Sequence, residues 1–288
     1  MILLTYKTNK VQRMTDLNDI FKNQSAMLVG GAPSLKEQPI ELLEQRGLLT
    51  MAMNNAAMHF RPTLWVSGDN PHCYDPQILA DPTIMKFAPA CHARVNLEDL
   101  GCKYLAVPNI YFYIQEADIP WEQYLECKNN IPWYNNTLLV AINILYQLGI
   151  RRIVLAGSDF GFNNNGDMYA HETCLGDLER KWNLDLYNNL VKEIRMLKPI
   201  FESAGLEFID SSKNSRLAQT YKHVSLKEAV ELCKQRFPAE PKDSKDLPHC
   251  SKFAPDSIQN RIAKWPGYAE VKGNIPLIKA TNKQQQVI

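Results

Sequence analysis

One helix-turn-strand segment constrains the fold of this chain more than any other feature. Apolar residues recur at helical spacing from Thr137 to Leu148 and stop at Gly149. The apolar run Ile153 to Ala156 follows, and it leads directly into Gly157-Ser158-Asp159. A helix that ends at glycine and continues into a wholly apolar strand is typical of a parallel sheet covered on both faces. The segment therefore predicts an α/β fold.

The same alternation runs along most of the chain. Strands are predicted at residues 26–29, 48–53, 64–67, 84–88, 104–107 and 206–209. Helices are predicted at residues 16–22, 41–45, 177–204, with a break at Pro199, and 225–235. This order predicts a Rossmann-like, doubly wound and mostly parallel sheet with helices on both faces. Residues 110–134 are rich in aromatic side chains and are predicted to be irregular.

Composition divides the chain into three parts. Residues 1–24 are predicted to be an N-terminal lead-in and residues 25–237 the Rossmann-like domain. Beyond Phe237 the composition shifts to proline, lysine and aspartate, so residues 238–288 are predicted to be an extended, partly disordered C-terminal arm.

Charge and cysteine content exclude some functional classes. The formal net charge of +1 argues against a dedicated, strongly basic nucleic-acid binder. Apolar runs stay far shorter than a membrane span, and charged residues follow the short apolar start at once. The seven cysteines are odd in number and scattered, as expected for reduced thiols. We expect a cytoplasmic protein without a membrane span.

The turn after the first predicted strand of the domain is the first candidate site. The sequence there is Gly30-Gly31-Ala32-Pro33-Ser34-Leu35. Glycines allow close approach of a ligand to the backbone, and Ser34 with Glu37 fits a capping box at a helix start. Helix starts attract anions, so the turn predicts a phosphate site. The dinucleotide and Walker patterns are both absent, and an ordinary glycine turn is the alternative.

Small or polar residues follow four of the predicted strands. The four strand ends are Gly30-Gly31, Asn54-Asn55, Gly68-Asp69 and Gly157-Ser158-Asp159. Ligands bind beyond the carboxyl ends of the strands in open parallel sheets. The four ends together predict a polar crevice for a nucleotide, with amides for phosphate, asparagine for base or ribose, and aspartate for ribose hydroxyls or a metal.

The order of these motifs resembles one group of enzymes. The glycine turn, Met53-Asn54, the segment from Leu148 to Phe160 and Tyr169-Ala170-His171 together look like bacterial sialyltransferases that use CMP-activated sugars. They also resemble the central domain of motility accessory factors, which are linked to transfer of nonulosonic acids onto flagellin. Archaeal hydroxymethylpterin diphosphokinases share the turn and the strand that ends in aspartate. The resemblance covers residues 25–215.

The resemblance implies roles for individual residues. Gly30, Gly31, Ala32 and Ser34 would hold the phosphate or the nearby ribose, and Asn54 would contact the nucleotide. Asp69 fits the accessory-factor and diphosphokinase pattern better than the sialyltransferase pattern. Ser158 and Asp159 would line the base and ribose end of the site. Tyr169 would contact the leaving phosphate.

Two departures from the sialyltransferase pattern concern catalysis. An arginine of that family precedes the helix that starts here at Thr137, where this chain has Tyr134-Asn135-Asn136. The family's general-base histidine has no direct counterpart. His171 is the nearest candidate, because an imidazole near neutral pKa can accept a hydroxyl proton. A surface-loop histidine is the alternative.

The resemblance implies a glycosyltransferase with a Rossmann-like fold. It would transfer a sugar from a nucleotide-activated donor, CMP-sugar or similar, to a hydroxyl acceptor, with inversion. The acceptor would be a glycan, a protein or a hydroxymethylated base in DNA. The alternatives are a Mg²⁺-dependent diphosphokinase acting on a pterin-like alcohol and a non-catalytic nucleotide-binding module. Homo-oligomerisation stays open.

Metal binding is a separate question. His72-Cys73 and Cys91-His92 offer the residue types of a zinc site, but adjacent ligands fit one tetrahedral ion poorly, and buried thiols with loop histidines are the favoured interpretation. Asp69, Asp75, Asp159 and Asp167 could reach a divalent ion such as Mg²⁺ or Mn²⁺. No Asp-x-Asp pair occurs, so no metal ligands are assigned and metal dependence stays open. The aromatic side chains of residues 110–134 favour core packing over stacking on a base or sugar.

Overall fold

The computed structural model describes residues 2–7, 10–45, 47–117, 119–127, 130–163, 165–171 and 176–234. The strands are β1 Ile2–Lys7, β2 Lys10–Asp16, β3 Ser25–Val29, β4 Thr50–Met53, β5 Leu64–Val66, β6 Met85–Pro89, β7 Asn96–Leu97, β8 Cys102–Lys103, β9 Ile110–Tyr113, β10 Gln115–Glu116, β11 Ile131–Pro132, β12 Arg152–Ala156, β13 Glu207–Asp210 and β14 Lys222–His223. The α-helices are α1 Pro76–Ala80, α2 Thr137–Gln147, α3 Asp177–Met196, α4 Lys198–Ser203 and α5 Leu226–Lys234. Short 3₁₀ helices are Pro33–Glu37, Ile40–Glu44, Asn54–Met58, Pro71–Cys73, Ala90–His92, Glu98–Leu100, Tyr104–Ala106 and Trp121–Gln123.

A large, mostly parallel sheet organises the molecule. Its strand order is β14-β13-β12-β3-β4-β5-β6-β9-β1-β2. The first eight strands of this order run parallel, while β1 pairs antiparallel with both β9 and β2. The fold is therefore α/β with a Rossmann-like, mostly parallel sheet, as the sequence predicts.

Both faces of the sheet are buried, because successive side chains of each strand enter different cores. On β3, Ala26 and Leu28 pack into the core that contains α2 and the C-terminal half of α3. Met27 and Val29 pack into the opposite core, which contains α5 and the 3₁₀ helices after β3. Burial on both faces explains why these strands are continuous apolar runs.

The central helix-turn-strand prediction is confirmed. Helix α2 spans Thr137–Gln147 and β12 spans Arg152–Ala156. The Asn136 side chain caps α2 by accepting a hydrogen bond of 2.8 Å from the Leu138 backbone N–H. The long helical region divides into α3 and α4 just before Pro199, which stands in the first turn of α4.

Three local predictions are wrong. Residues up to Asp16 form β2 of an edge hairpin, and turns rather than a helix lead on to β3. Residues 104–107 contain a 3₁₀ helix instead of a strand, because Tyr104 packs its ring edge-on against Phe112 at 5.6 Å. The strand of this region is β9, within the aromatic segment predicted to be irregular.

Two further predictions concern residues 41–45 and the C-terminal arm. The helix predicted at residues 41–45 is a short 3₁₀ helix, Ile40–Glu44. The predicted C-terminal arm, residues 238–288, lies outside the described residues. Of the helices within the described ranges, none is both long and apolar enough to cross a bilayer.

Candidate functional site

The sheet reverses its direction of growth between β3 and β12. From β3 the chain adds β4, β5, β6 and β9 on one side, and it then returns to add β12, β13 and β14 on the other. A crevice forms beyond the carboxyl ends of the strands at such a switch point, and ligands of open α/β sheets bind there. The residues that follow β3 and β12 therefore border the expected ligand crevice.

The two strand ends contact each other through their glycines. The Gly30 N–H donates to the Ala156 carbonyl at 2.9 Å, and the Ala32 N–H donates to the Gly157 carbonyl at 2.9 Å. A Cβ atom on Gly30 would lie 2.6 Å from the Gly157 carbonyl oxygen, closer than real Cβ contacts allow. Gly30 thus lets the two strand ends approach each other. A Cβ on Gly31 would stand 3.7 Å from the Ala56 nitrogen, an ordinary contact.

Ser34 and Asp159 form a buried pair across this contact. The Ser34 backbone N–H donates to Asp159 Oδ2 at 3.0 Å, and its hydroxyl donates to Asp159 Oδ1. Ser34 is fully buried and Asp159 is 6% exposed. Burial raises the pKa of the Asp159 carboxyl, and the two hydrogen bonds from Ser34 oppose that rise. A carboxylate of the chain itself therefore occupies both donors of Ser34.

The capping box predicted at this turn is wrong. Pro33 begins a five-residue 3₁₀ helix whose N-cap is Ala32, and no side chain caps it. Ser34 lies inside the helix and bonds to Asp159, while the Glu37 carboxylate pairs with Lys213 at 2.7 Å. The N–H groups of Gly30, Ala32 and Ser34 already donate within the chain, which contradicts the prediction that the amides of this turn bind a phosphate together. A phosphate at Gly31 stays a prediction.

Asn54 and Asp69 meet at the Tyr74 hydroxyl. That hydroxyl donates to Asn54 Oδ1 at 3.2 Å and accepts a hydrogen bond from the Asp69 backbone N–H at 3.1 Å. Asn54 has a left-handed φ of 50° and its carbonyl accepts from the Trp65 indole at 2.8 Å. The Asp69 carboxylate is exposed. These contacts fix two of the predicted site residues side by side.

The segment with Tyr169 and His171 is attached to the glycine turn. The Ala170 backbone N–H donates to the Gly31 carbonyl at 2.7 Å. The rings of Tyr169 and His171 stack with centroids 5.1 Å apart and planes 21° apart. Burial is the main cause of the raised pKa of Tyr169, a hydrogen bond with the Tyr187 hydroxyl opposes the rise, and the Asp69 carboxylate adds to it. The structure therefore places the Tyr169–His171 pair beside the glycine turn, with the Asp69 carboxylate close enough to raise the pKa of Tyr169.

His171 carries the most informative electrostatics. Burial, followed by the neighbouring His59 and Lys36, lowers the pKa of His171 to about 4. Its Nδ1 atom is buried without a hydrogen-bond partner within the described structure. The ring is therefore neutral near neutral pH, and its pKa of about 4 lies well below the near-neutral value expected from the sequence.

Sequence reasoning missed three groups of this region. His59 caps the 3₁₀ helix after β4, and Lys36 lies in the 3₁₀ helix after β3. Ser212, after β13, accepts a hydrogen bond of 3.0 Å from the Ser158 backbone N–H. One feature of the sequence could have pointed to these three residues. Each of them follows a predicted strand, and the three strands end at the same edge of the sheet.

Metal-ligand residues do not converge in the described part of the chain. Within it, histidine, cysteine, aspartate and glutamate form no group of three or more that could hold an ion. His72-Cys73 and Cys91-His92 are included in that statement. The interpretation of their cysteines as buried thiols is wrong, because Cys73 and Cys91 are both exposed. Both Asp159 oxygens already accept hydrogen bonds from Ser34, and this donor set fits a divalent ion poorly. We derive no step through a metal.

The aromatic segment contributes mainly to the core. Tyr124 is fully buried, and Trp121 stacks on Tyr134 with ring centroids 4.1 Å apart. Trp133 approaches the crevice, because a Cβ on Gly68 would lie 2.7 Å from its ring. Core packing thus accounts for most of these rings.

Comparison with known proteins gives one structural likeness. No family model and no curated protein matches the chain. Two solved structures of a mammalian sialyltransferase are similar to it, one of them in complex with Gal-beta-1-3GalNAc-ortho-nitrophenol. Each has a TM-score of 0.37 and 14% sequence identity, and the match covers 67% of this chain and 70% of the other.

Proposed function

We propose that this protein is a glycosyltransferase that moves a sugar from a nucleotide-activated donor to a hydroxyl acceptor. One observation carries the proposal. The segment with Tyr169 and His171 is hydrogen-bonded to Gly31 at the switch point of the sheet. A phenol and a neutral imidazole therefore stand beside the crevice in which nucleotides bind in this class of fold.

His171 is the proposed general base. Its ring is neutral near neutral pH and can accept the proton of an acceptor hydroxyl. The acceptor oxygen then forms a bond to the anomeric carbon as the bond from that carbon to the donor phosphate breaks. The electron pair of the broken bond stays on the phosphate, and the configuration inverts.

Tyr169 is the proposed group that stabilises the leaving phosphate. Burial raises the pKa of Tyr169, so its hydroxyl keeps its proton and can donate a hydrogen bond to the charge that develops. Asn54, Asp69 and Ser158 would line the nucleotide site, as would Gly31, while Gly30 and Ala32 would shape it through the hydrogen bonds of their own N–H groups to Ala156 and Gly157. Asp159 would act mainly by holding Ser34 and the turn in place.

A thermal-shift screen tests the proposal and separates it from the diphosphokinase alternative. The nucleotides are CMP, CDP, UDP, GDP, ADP and ATP, each with and without Mg²⁺. A ligand at a hundred times its Kd adds about 2.7 kcal/mol to the free energy of unfolding. Stabilisation by CMP or another sugar-carrier nucleotide is expected. Stabilisation by ATP with Mg²⁺ alone would favour diphosphoryl transfer, and no stabilisation by any nucleotide would contradict the site.

A further inference from the structure

Three basic residues follow the carboxyl ends of three neighbouring strands. Lys36 follows β3, His59 follows β4 and His171 follows β12, and these strands are adjacent in the sheet order β12-β3-β4. Lys36 lowers the pKa of both imidazoles, and His59 lowers that of His171, so the three groups are electrostatic neighbours. The topology thus assembles a basic cluster from residues far apart in sequence.

His59 has an unused polar atom in this cluster. Its Nε2 is buried and has no hydrogen-bond partner within the described structure. Its backbone is fixed, because its N–H donates to the Ala56 carbonyl at 3.1 Å. Buried polar atoms in native proteins nearly always have a partner. The unpaired imidazole nitrogen of His59, with Lys36 as its charged neighbour, is therefore open to a hydrogen bond from a ligand.

The surrounding charge decides what kind of ligand fits. The causes of the lowered pKa of His59 are burial and then Lys36. For His171 they are burial and then two basic neighbours, His59 and Lys36. A metal cation would be repelled by the Lys36 ammonium, whereas an oxyanion would accept hydrogen bonds from that ammonium and from a protonated imidazole nitrogen.

We propose that Lys36 and His59 form an oxyanion subsite next to His171 and that it binds the phosphate of the nucleotide donor. The identity of the carrier nucleotide rests on the proposed function, whereas the oxyanion itself does not. A phosphate bound there also favours the imidazolium that forms when His171 takes the acceptor proton, because opposite charges attract in a site of low dielectric.

Direct titration with inorganic phosphate tests the subsite. The readout is the ¹H–¹⁵N spectrum of the imidazole rings at one fixed pH, recorded for the wild type, Lys36→Gln and Lys192→Gln. Lys192 is an exposed lysine on α3, so its variant removes the same charge elsewhere. We expect the His59 and His171 resonances to shift at millimolar phosphate in the wild type and in Lys192→Gln, with Lys36→Gln needing on the order of tenfold more phosphate. Unmoved ring resonances in the wild type would overturn the subsite.

A second titration separates the subsite from the proposed function. Calorimetry gives the ratio of Kd values for cytidine and CMP, which isolates the contribution of the phosphate. We expect His59→Gln and Lys36→Gln to reduce that ratio on the order of tenfold, while His72→Gln, at an exposed histidine, leaves it unchanged. Unchanged ratios in Lys36→Gln and His59→Gln would refute the subsite while leaving nucleotide binding intact. Inorganic phosphate shifts together with a failure to release nucleotide from any sugar donor would support the subsite and contradict the transferase.

Discussion

At the scale of single residues, the buried Ser34–Asp159 pair links the glycine turn to β12. Both Asp159 oxygens accept hydrogen bonds from Ser34, and the two residues are 125 positions apart in sequence. A buried carboxylate without hydrogen bonds is costly, so Ser34 compensates for much of its desolvation. The pair is therefore important for the stability of the turn.

Replacing Ser34 tests this interpretation. Ser34→Ala leaves one Asp159 oxygen without its hydroxyl donor, and we expect a loss of about 1–3 kcal/mol in the free energy of unfolding. Urea denaturation measures this loss. Ser203→Ala is the matched control, because the exposed Ser203 hydroxyl bonds only to a carbonyl one turn back in α4. Equal effects of the two substitutions would refute the importance of the pair.

His171 predicts a pH dependence of stability. Its pKa falls from 6.5 to about 4 on folding, so between these values the unfolded chain binds more protons than the folded one. Folding stability therefore decreases as the pH falls from 6.5 towards about 4. We expect His171→Gln to lose less stability than the wild type over this range, because the titrating group is gone.

Urea midpoints across that pH range provide the measurement. His72→Gln is the control, because this exposed imidazole lies outside the basic cluster and should leave the wild-type pH profile unchanged. A His171→Gln variant whose stability falls as steeply as that of the wild type would contradict the burial and charge environment described for His171.

Sequence patterns point to only some residues of the proposed site. Asn54, Asp69, Asp159 and Tyr169 are predictable candidates because each follows a strand or lies in a recognisable motif, and their roles stay predictions. The bond between Ser34 and Asp159 was not predictable, because it depends on the pairing of β3 with β12 and not on spacing along the chain. His59 was overlooked for a similar reason, since nothing local distinguishes it from a surface histidine.

At the scale of elements, the contact between the ends of β3 and β12 depends on Gly30 and Gly157, because a Cβ on Gly157 would likewise collide with the Gly30 carbonyl oxygen. A methyl group on Gly30 would meet the Gly157 carbonyl oxygen and Ser158 Oγ, each at 2.6 Å. The same change at Gly31 would meet only ordinary contacts. The two adjacent glycines thus form a natural pair of test and control.

We expect Gly30→Ala to destabilise the protein by about 1–3 kcal/mol, because the strand ends must separate to accommodate the methyl group. Gly31→Ala should have a much smaller effect. Chemical denaturation gives both values, and tryptophan fluorescence with circular dichroism checks that both variants fold. A larger loss for Gly31→Ala than for Gly30→Ala would contradict the described packing.

Periodicity predicts the elements that have a clear apolar pattern. It does not predict the elements whose conformation depends on tertiary packing. Helix α2 and strand β12 were predictable, because a helical apolar pattern, a glycine and an apolar run follow in order. Strand β9 was not, because its residues are nearly all aromatic and buried on both faces, so no alternation marks it. The hairpin of β1 and β2 joins the sheet through β9, and that pairing is not visible in local sequence.

At the scale of the whole molecule, the proposed site draws on segments spread over more than a hundred residues. The turn after β3, the 3₁₀ helix after β4, the Asp69 region after β5 and the loop after β12 meet at one edge of the sheet. Fold class alone supports many functions. The convergence of a phenol, a neutral imidazole and a basic cluster at the switch point is what favours transfer from a phosphate-linked donor.

Release of nucleotide from sugar donors tests the central claim most directly. CMP-, UDP- and GDP-linked sugars are incubated with the wild type and with His171→Gln, and the free nucleotide is quantified by chromatography, with product mass as the check for transfer. We predict release from one donor class by the wild type and a reduction on the order of 10²-fold or more in His171→Gln, the usual contribution of a general base. Release at equal rates by both proteins would contradict the role of His171, and no release from any donor would contradict the glycosyltransferase itself.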